Sequence, residues 1–220
     1  MTRHTIRALA AAGLAAAALV TVPGTALAQY RPAAVTAEAD VDGDGAQEHV
    51  TLEQLAPGTQ LLRVHLPSGY VEDRILGDEG LPLIVPFVVD VNGDGRDELV
   101  IATSLGANTN TLQLWSFDDD RLHAVTTEDG ATWQLFEGGG VSAMGMYGCV
   151  PGTPARQLRD VQATLDEAAS TDGTTRYDGT AVTYTVTDGM AHRAVVEPLE
   201  DVTRDDPRVQ VDPATCATVA

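Results

Sequence analysis

The stretch from Val88 to Ile101, V-V-D-V-N-G-D-G-R-D-E-L-V-I, sets oxygen-bearing side chains at alternate positions between two apolar runs. A near copy, D-V-D-G-D-G-A-Q-E, runs from Asp40 to Glu48, and the first aspartates of the two are 50 residues apart (90 minus 40). A fixed offset of this size marks a structural repeat rather than a chance acidic cluster. Because short apolar runs bounded by turn residues read as strands, each acidic loop is expected to join two strands of a sheet.

The flanking sequence keeps that pattern. Strand-like runs are expected at Ala34–Glu38, His49–Glu53, Gln60–Leu66 and Tyr70–Leu76, separated by the turn dipeptides Pro57-Gly58 and Ser68-Gly69. A second set is expected at Leu83–Val89, Leu99–Thr103, Thr111–Phe117 and Arg121–Thr127, with Asp118-Asp-Asp120 as a solvated hairpin turn. Beyond Ala131 the acidic signature stops, but runs continue at Trp133–Phe136, Val141–Val150, Gln157–Leu165, Ala181–Thr187 and Met190–Val196. Asp188-Gly189 is a tight-hairpin signal. Leu158, Val161 and Leu165 also fit a helical stripe, yet strand is the favoured reading there.

Calcium takes six to eight oxygen ligands in a tolerant geometry, and alternate positions of a tight loop bring oxygens together efficiently. In the first loop Asp40, Asp42 and Asp44 fill positions 1, 3 and 5, the Ala46 carbonyl position 7 and Glu48 position 9. Asp90, Asn92, Asp94, the Arg96 carbonyl and Glu98 fill the same positions in the second. Gly43, Gly45, Gly93 and Gly95 let each loop turn back on its ion. A helical calcium motif also needs an acidic ligand at position 12, where this chain has Thr51 and Ile101.

The remaining pattern, D-x-[DN]-x-D-G-x-x-[DE] followed by a strand, resembles the FG-GAP/VCBS repeat of integrin-like β-propellers. The resemblance covers roughly residues 32–127 and implies Ca2+ held by the ten residues just named. It implies an all-β, propeller-like array of about three to four antiparallel blade-like sheets, with calcium loops in the first two. The units expected are about 32–80 and 81–130, with a divergent β region over 131–220.

Residues 1–28 read as a secretory signal peptide: Arg3 and Arg7 head an apolar run, and Ala26-Leu-Ala28 is a cleavage signal. A single domain is expected over 29–220, secreted and without membrane insertion after cleavage; cleavage or retention as an anchor is left open. The chain carries a net charge of −19. Beyond residue 28, 11 basic residues face all 32 acidic ones, a balance of −21 that excludes nucleic acid and anionic membranes as partners. Cys149 and Cys216 are the only cysteines, and in an oxidising compartment they are expected to form a disulfide that ties down the C-terminal tail.

No catalytic constellation assembles from the sequence. His49, His65, His123 and His192 lie in no metalloprotease spacing, and Gly140-Val-Ser-Ala-Met144 lacks the final glycine of a nucleophile elbow. Glu137-Gly-Gly-Gly140 has neither the lysine nor the helix of a phosphate cradle. Trp115, Trp133 and Tyr147 are expected in the core rather than on a sugar-binding face. The chain therefore reads as a non-catalytic binding or interaction module for a macromolecule or surface glycan. The alternative is an extracellular hydrolase or carbohydrate-binding module whose site is assembled from distant residues.

Overall fold

The computed structural model describes residues 33–153, 155–171 and 173–218. The expected leader lies outside them. Strands β1 (Ala34–Ala39), β2 (Glu48–Ala56), β3 (Thr59–Leu66) and β4 (Gly69–Leu76) form an antiparallel meander in that order. Its register places Ala37, Val50, Val64 and Val71 in one row and Val35, Leu52 and Leu62 in the next, so alternation makes one face apolar. The β2–β3 connection is Pro57-Gly58, with Gly58 at φ 69°, a conformation open to glycine.

The second sheet has ten strands. These are β5 (Phe87–Val89), β6 (Glu98–Leu105), β7 (Thr109–Asp118), β8 (Arg121–Ala124), β9 (Thr126–Thr127), β10 (Gln134–Gly138), β11 (Ala143–Val150), β12 (Gln157–Leu165), β13 (Tyr177–Thr187) and β14 (Met190–Val202). Pairing runs β5-β6-β7-β10-β11-β12-β13-β14-β9, with β8 also on β7, and it is antiparallel except for the short β14–β9 contact. The Asp119-Asp120 and Asp188-Gly189 hairpins have both central residues at positive φ (51° and 58°, 50° and 66°), the twist that two-residue hairpins favour.

Two sheets therefore stand among the described residues, where three to four separate ones were expected. The cause lies in β7. Its second half pairs with β8 through Trp115–Asp118, while Thr109–Gln113 on the same edge pair with β10. One long strand next to a four-residue partner leaves half an edge open, and the chain from Gln134 onward continues the sheet there. The units 81–130 and 131–220 are thus hydrogen-bonded into one sheet. That sheet curls: the Asn92 side chain, beside β5, donates to the Val186 carbonyl on β13 (3.3 Å), and the Thr126 amide donates to the Gly189 carbonyl (3.0 Å).

Other boundaries moved as well. The expected strand Leu83–Val89 shrinks to Phe87–Val89, because Pro82 and Pro86 remove ladder donors. Conversely, β14 runs on to Val202 through Pro198, on a side that β9 covers only at Met190 and Ala191 and that is otherwise an open edge, where proline is tolerated. Strand β13 starts four residues before Ala181, at Tyr177. The reading of Gln157–Leu165 as strand, not helix, matches β12.

Strand β6 is buried on both faces, and this explains its unbroken apolar run. Leu99 and Ile101 pack with Val50, Leu52, Leu62, Val64 and Ile75 of the first sheet, and with Trp115 and Phe117. Val100 and Ala102 point the other way, into a cluster with Leu114, Leu135, Tyr147, Leu158 and Val186. Burying a Leu or Ile fully contributes about 1.5–3 kcal/mol. At the C-terminus Pro213–Cys216 form a 3₁₀ turn, and Cys216 is bonded to Cys149 across 67 residues of sequence. Among the described residues no helix is long and apolar enough to cross a membrane.

Candidate metal centre

The first loop joins β1 to β2 and is wound by its own carboxylates. Asp40 accepts from the Gly43 amide through Oδ1 (2.8 Å) and from the Gly45 amide through Oδ2 (2.9 Å). Asp42 Oδ1 accepts from the Asp44 amide (3.1 Å), and Asp44 Oδ1 from the Ala46 amide (2.7 Å). Glu48 closes the loop by accepting from the Val41 amide (2.9 Å).

The loop between β5 and β6 repeats this almost bond for bond. Asp90 accepts from Gly93 (2.6 Å), Asn92 from Asp94 (3.0 Å), Asp94 from Arg96 (2.8 Å) and Glu98 from Val91 (2.9 Å), all backbone amides. Gly43 and Gly45 sit at φ 76° and 86°, and Gly93 and Gly95 at 73° and 85°. These left-handed positions are the reason the pattern carries glycine there. Ala46 and Arg96, whose carbonyls were assigned to position 7, occupy the same exposed place in both copies.

In the first loop ligand atoms of Asp40, Asp42 and Glu48 lie within 4.8 Å of one another, a group that can hold a metal ion. Glu48 is buried, and Asp40 and Asp42 are half-buried. Asp44 and Asp94 are exposed at the loop rims. In the second loop Asn92 replaces one carboxylate, and its amide group donates to Asp94 Oδ2 (3.0 Å) as well as to Val186.

The electrostatics point the same way. Burial raises the Glu48 carboxyl above its ordinary pKa, and Asp42, Asp40 and Asp44 push it further against the opposing Val41 hydrogen bond. Glu98 is raised well above the usual carboxylate range, again by burial first, with Asp94, Asp90 and Asp118 adding repulsion. A divalent cation reverses the sign of that field, and an all-oxygen donor set suits a hard ion.

Each loop is held at its first residue by a segment outside its own nine residues. Asp97 accepts from the Asp40 amide (2.8 Å) and donates its own amide to the Asp40 carbonyl (2.7 Å). For the second loop, the Asp90 amide donates to the Cys216 carbonyl (3.0 Å), and Arg156 Nη1 donates to the Asp90 carbonyl (2.7 Å). The one sequence signal for Asp97 was the contrast at position 8, Gln47 in one copy and Asp97 in the other; Gln47 is exposed and Asp97 is 5% exposed. Nothing local marked Arg156, and Cys216 was marked only as half of the expected disulfide.

A cleft of about 480 Å³ opens beside the second loop, lined by Asp94, Glu98, Phe117, Asp118, Arg156 and Asp188 among others. Asp118 corrects the expectation of a solvated acidic turn. Asp119 and Asp120 are exposed, but Asp118 is half-buried, its carboxyl raised by desolvation, and His123 Nε2 lies 3.5 Å from its Oδ2. Trp115, Trp133 and Tyr147 are buried (4%, 4% and 3% exposed), as expected of core residues. No family model, curated protein or solved structure matches the chain.

Proposed function

We propose that this chain is a secreted, calcium-binding, non-catalytic β-repeat protein of the FG-GAP/VCBS kind, acting as an interaction module for a macromolecule or surface glycan. The observation that carries it is the near-identity of the two loops in glycine conformation and hydrogen bonding. On this reading β1–β4 and β5–β8 are two blade-like units of a propeller-like array. The ten residues Asp40, Asp42, Asp44, Ala46, Glu48, Asp90, Asn92, Asp94, Arg96 and Glu98 hold one Ca2+ per loop. The ion acts as a staple, since its ligands come from a loop whose ends are both strands. The disulfide between Cys149 and Cys216 is compatible with an oxidising, extracellular setting. Thermal unfolding of the chelated protein, followed while CaCl2 is added, tests the reading. Melting should rise with calcium and fall back with EDTA, and a melting temperature indifferent to both contradicts it.

The cleft beside the second loop supports a second reading, a carbohydrate-binding or hydrolytic site, because Asp118 and Asp188 face it together with Phe117. Asp118→Asn tests whether the cleft is such a site. Loss of glycan binding or hydrolysis with calcium uptake intact favours the second reading, and retention of both removes it.

A further inference from the structure

The outer face of the first sheet carries a row of four side chains, one from each strand. Glu38 on β1 is directly opposite His49 on β2, His49 is opposite His65 on β3, and His65 is opposite Tyr70 on β4. All four are on the solvent side, away from the core formed by Val50, Leu62 and Val64. Directly opposed residues of an antiparallel pair hold their Cβ atoms about 4.5–5.5 Å apart, a separation two imidazoles can close onto one ion.

The ring geometry fits that closure. The His49 and His65 centroids are 5.9 Å apart, with the planes at 48°. A metal with bonds of about 2.1 Å to both imidazoles in tetrahedral geometry sets the centroids about 5 Å apart. Rotation of two exposed side chains supplies the difference, while their backbones stay fixed in paired strands.

A second observation is independent of the ring spacing. His49 Nδ1 and Glu38 Oε1 are 2.9 Å apart. A carboxylate on one ring nitrogen fixes the tautomer and leaves the Nε2 lone pair free, the arrangement that accompanies most metal-ligating histidines. Arg63, a cation on this face, is engaged elsewhere. It pairs with Glu72 (2.8 Å) and Glu53 (3.4 Å), and its guanidinium lies over the Tyr70 ring. A chain of net charge −19 also concentrates cations at its surface.

We propose that His49 and His65 chelate one imidazole-seeking divalent transition metal, such as Zn2+, with Glu38 orienting the His49 ring and water completing the coordination. The site is separate in chemistry from the acidic loops. Imidazole nitrogens select zinc, copper and nickel, whereas calcium takes oxygen. It also stands whether or not the loops bind calcium.

Isothermal titration of the full chain with ZnCl2, in saturating CaCl2 so that the acidic loops are occupied, tests the proposal. One Zn2+ per chain is expected from the pair. Either His49→Ala or His65→Ala should weaken it at least tenfold, and the double variant should abolish it. Glu38→Gln should weaken it about tenfold through the orienting bond. His192→Ala, at a half-buried histidine on β14 in the other sheet, should change nothing. Circular dichroism of each variant in calcium checks that the sheet is intact. Zinc binding unchanged in the double variant, or lost equally in His192→Ala, overturns the proposal.

Discussion

Asp97 clasps Asp40 by two hydrogen bonds, its carboxylate accepting from the Asp40 amide and its own amide donating to the Asp40 carbonyl, at 2.8 and 2.7 Å. The residues are 57 positions apart, and the second oxygen of Asp97 accepts from the Thr218 hydroxyl. One buried carboxylate of the second loop therefore fixes the first residue of the first loop and ties both to the tail.

The clasp predicts an asymmetry at position 8 of the two loops. Asp97→Ala should destabilise the protein by about 1–3 kcal/mol, because it strands buried polar groups, whereas Gln47→Ala should stay within about 0.5 kcal/mol. Urea unfolding of both variants measures the difference. Equal midpoints would remove the clasp from the explanation of stability.

Asp94→Ala and Asp119→Ala remove carboxylates of similar exposure with different expected roles. Asp119 sits at φ 51°, so alanine there adds backbone strain of about 1 kcal/mol that has nothing to do with an ion. The informative quantity is accordingly the change in melting temperature between calcium and EDTA. It should shrink in Asp94→Ala and keep its wild-type size in Asp119→Ala.

Asp160 on β12 gives a pH dependence unconnected with the loops. It is buried, Oδ2 accepts from Gln162 Nε2 (2.8 Å), and Oδ1 finds no donor among the described residues. Burial pushes its pKa from 3.8 to about 6, against the lowering effect of Gln162. The folded state thus holds the proton more tightly than the unfolded state. Stability from this group is present below about pH 4 and is lost as pH rises toward and through 6, by an amount on the order of 3 kcal/mol. Asp160→Asn should therefore melt higher than the parent at pH 7.5, and the gap should close by pH 4. A gap independent of pH would show that Asp160 is not the titrating group.

Removing the disulfide should reach the second loop before the first, since the Cys216 carbonyl holds the Asp90 amide. The double variant Cys149→Ala, Cys216→Ala should lose about 2–5 kcal/mol of stability. Its calcium affinity should fall at the loop carrying Asp90 more than at the loop carrying Asp40, measured in backgrounds where Glu48→Gln or Glu98→Gln silences the other loop.

The first sheet was nearly complete in the sequence, because its strands alternate and its turns carry Pro-Gly or Ser-Gly; the strand expected over Gln60–Leu66 is Thr59–Leu66. The two loops were legible for the same local reason, glycines at left-handed positions and acids at alternate ones. What the sequence did not show depends on pairing between distant segments. The split edge of β7, the curl that brings Val186 to Asn92, and the anchoring of Asp40 by Asp97 have no local pattern. Asp118 is not legible as different from Asp119 and Asp120 because adjacent strand-end residues point in different directions, and its half-burial beside the cleft and His123 depends on the tertiary fold.

Equilibrium dialysis of the chelated full chain against calcium is the most direct test of the paired loops. The prediction is two Ca2+ per chain, falling to one in either Glu48→Gln or Glu98→Gln and to none in the double variant. No calcium uptake by the wild-type chain, or uptake that survives both substitutions, would contradict it.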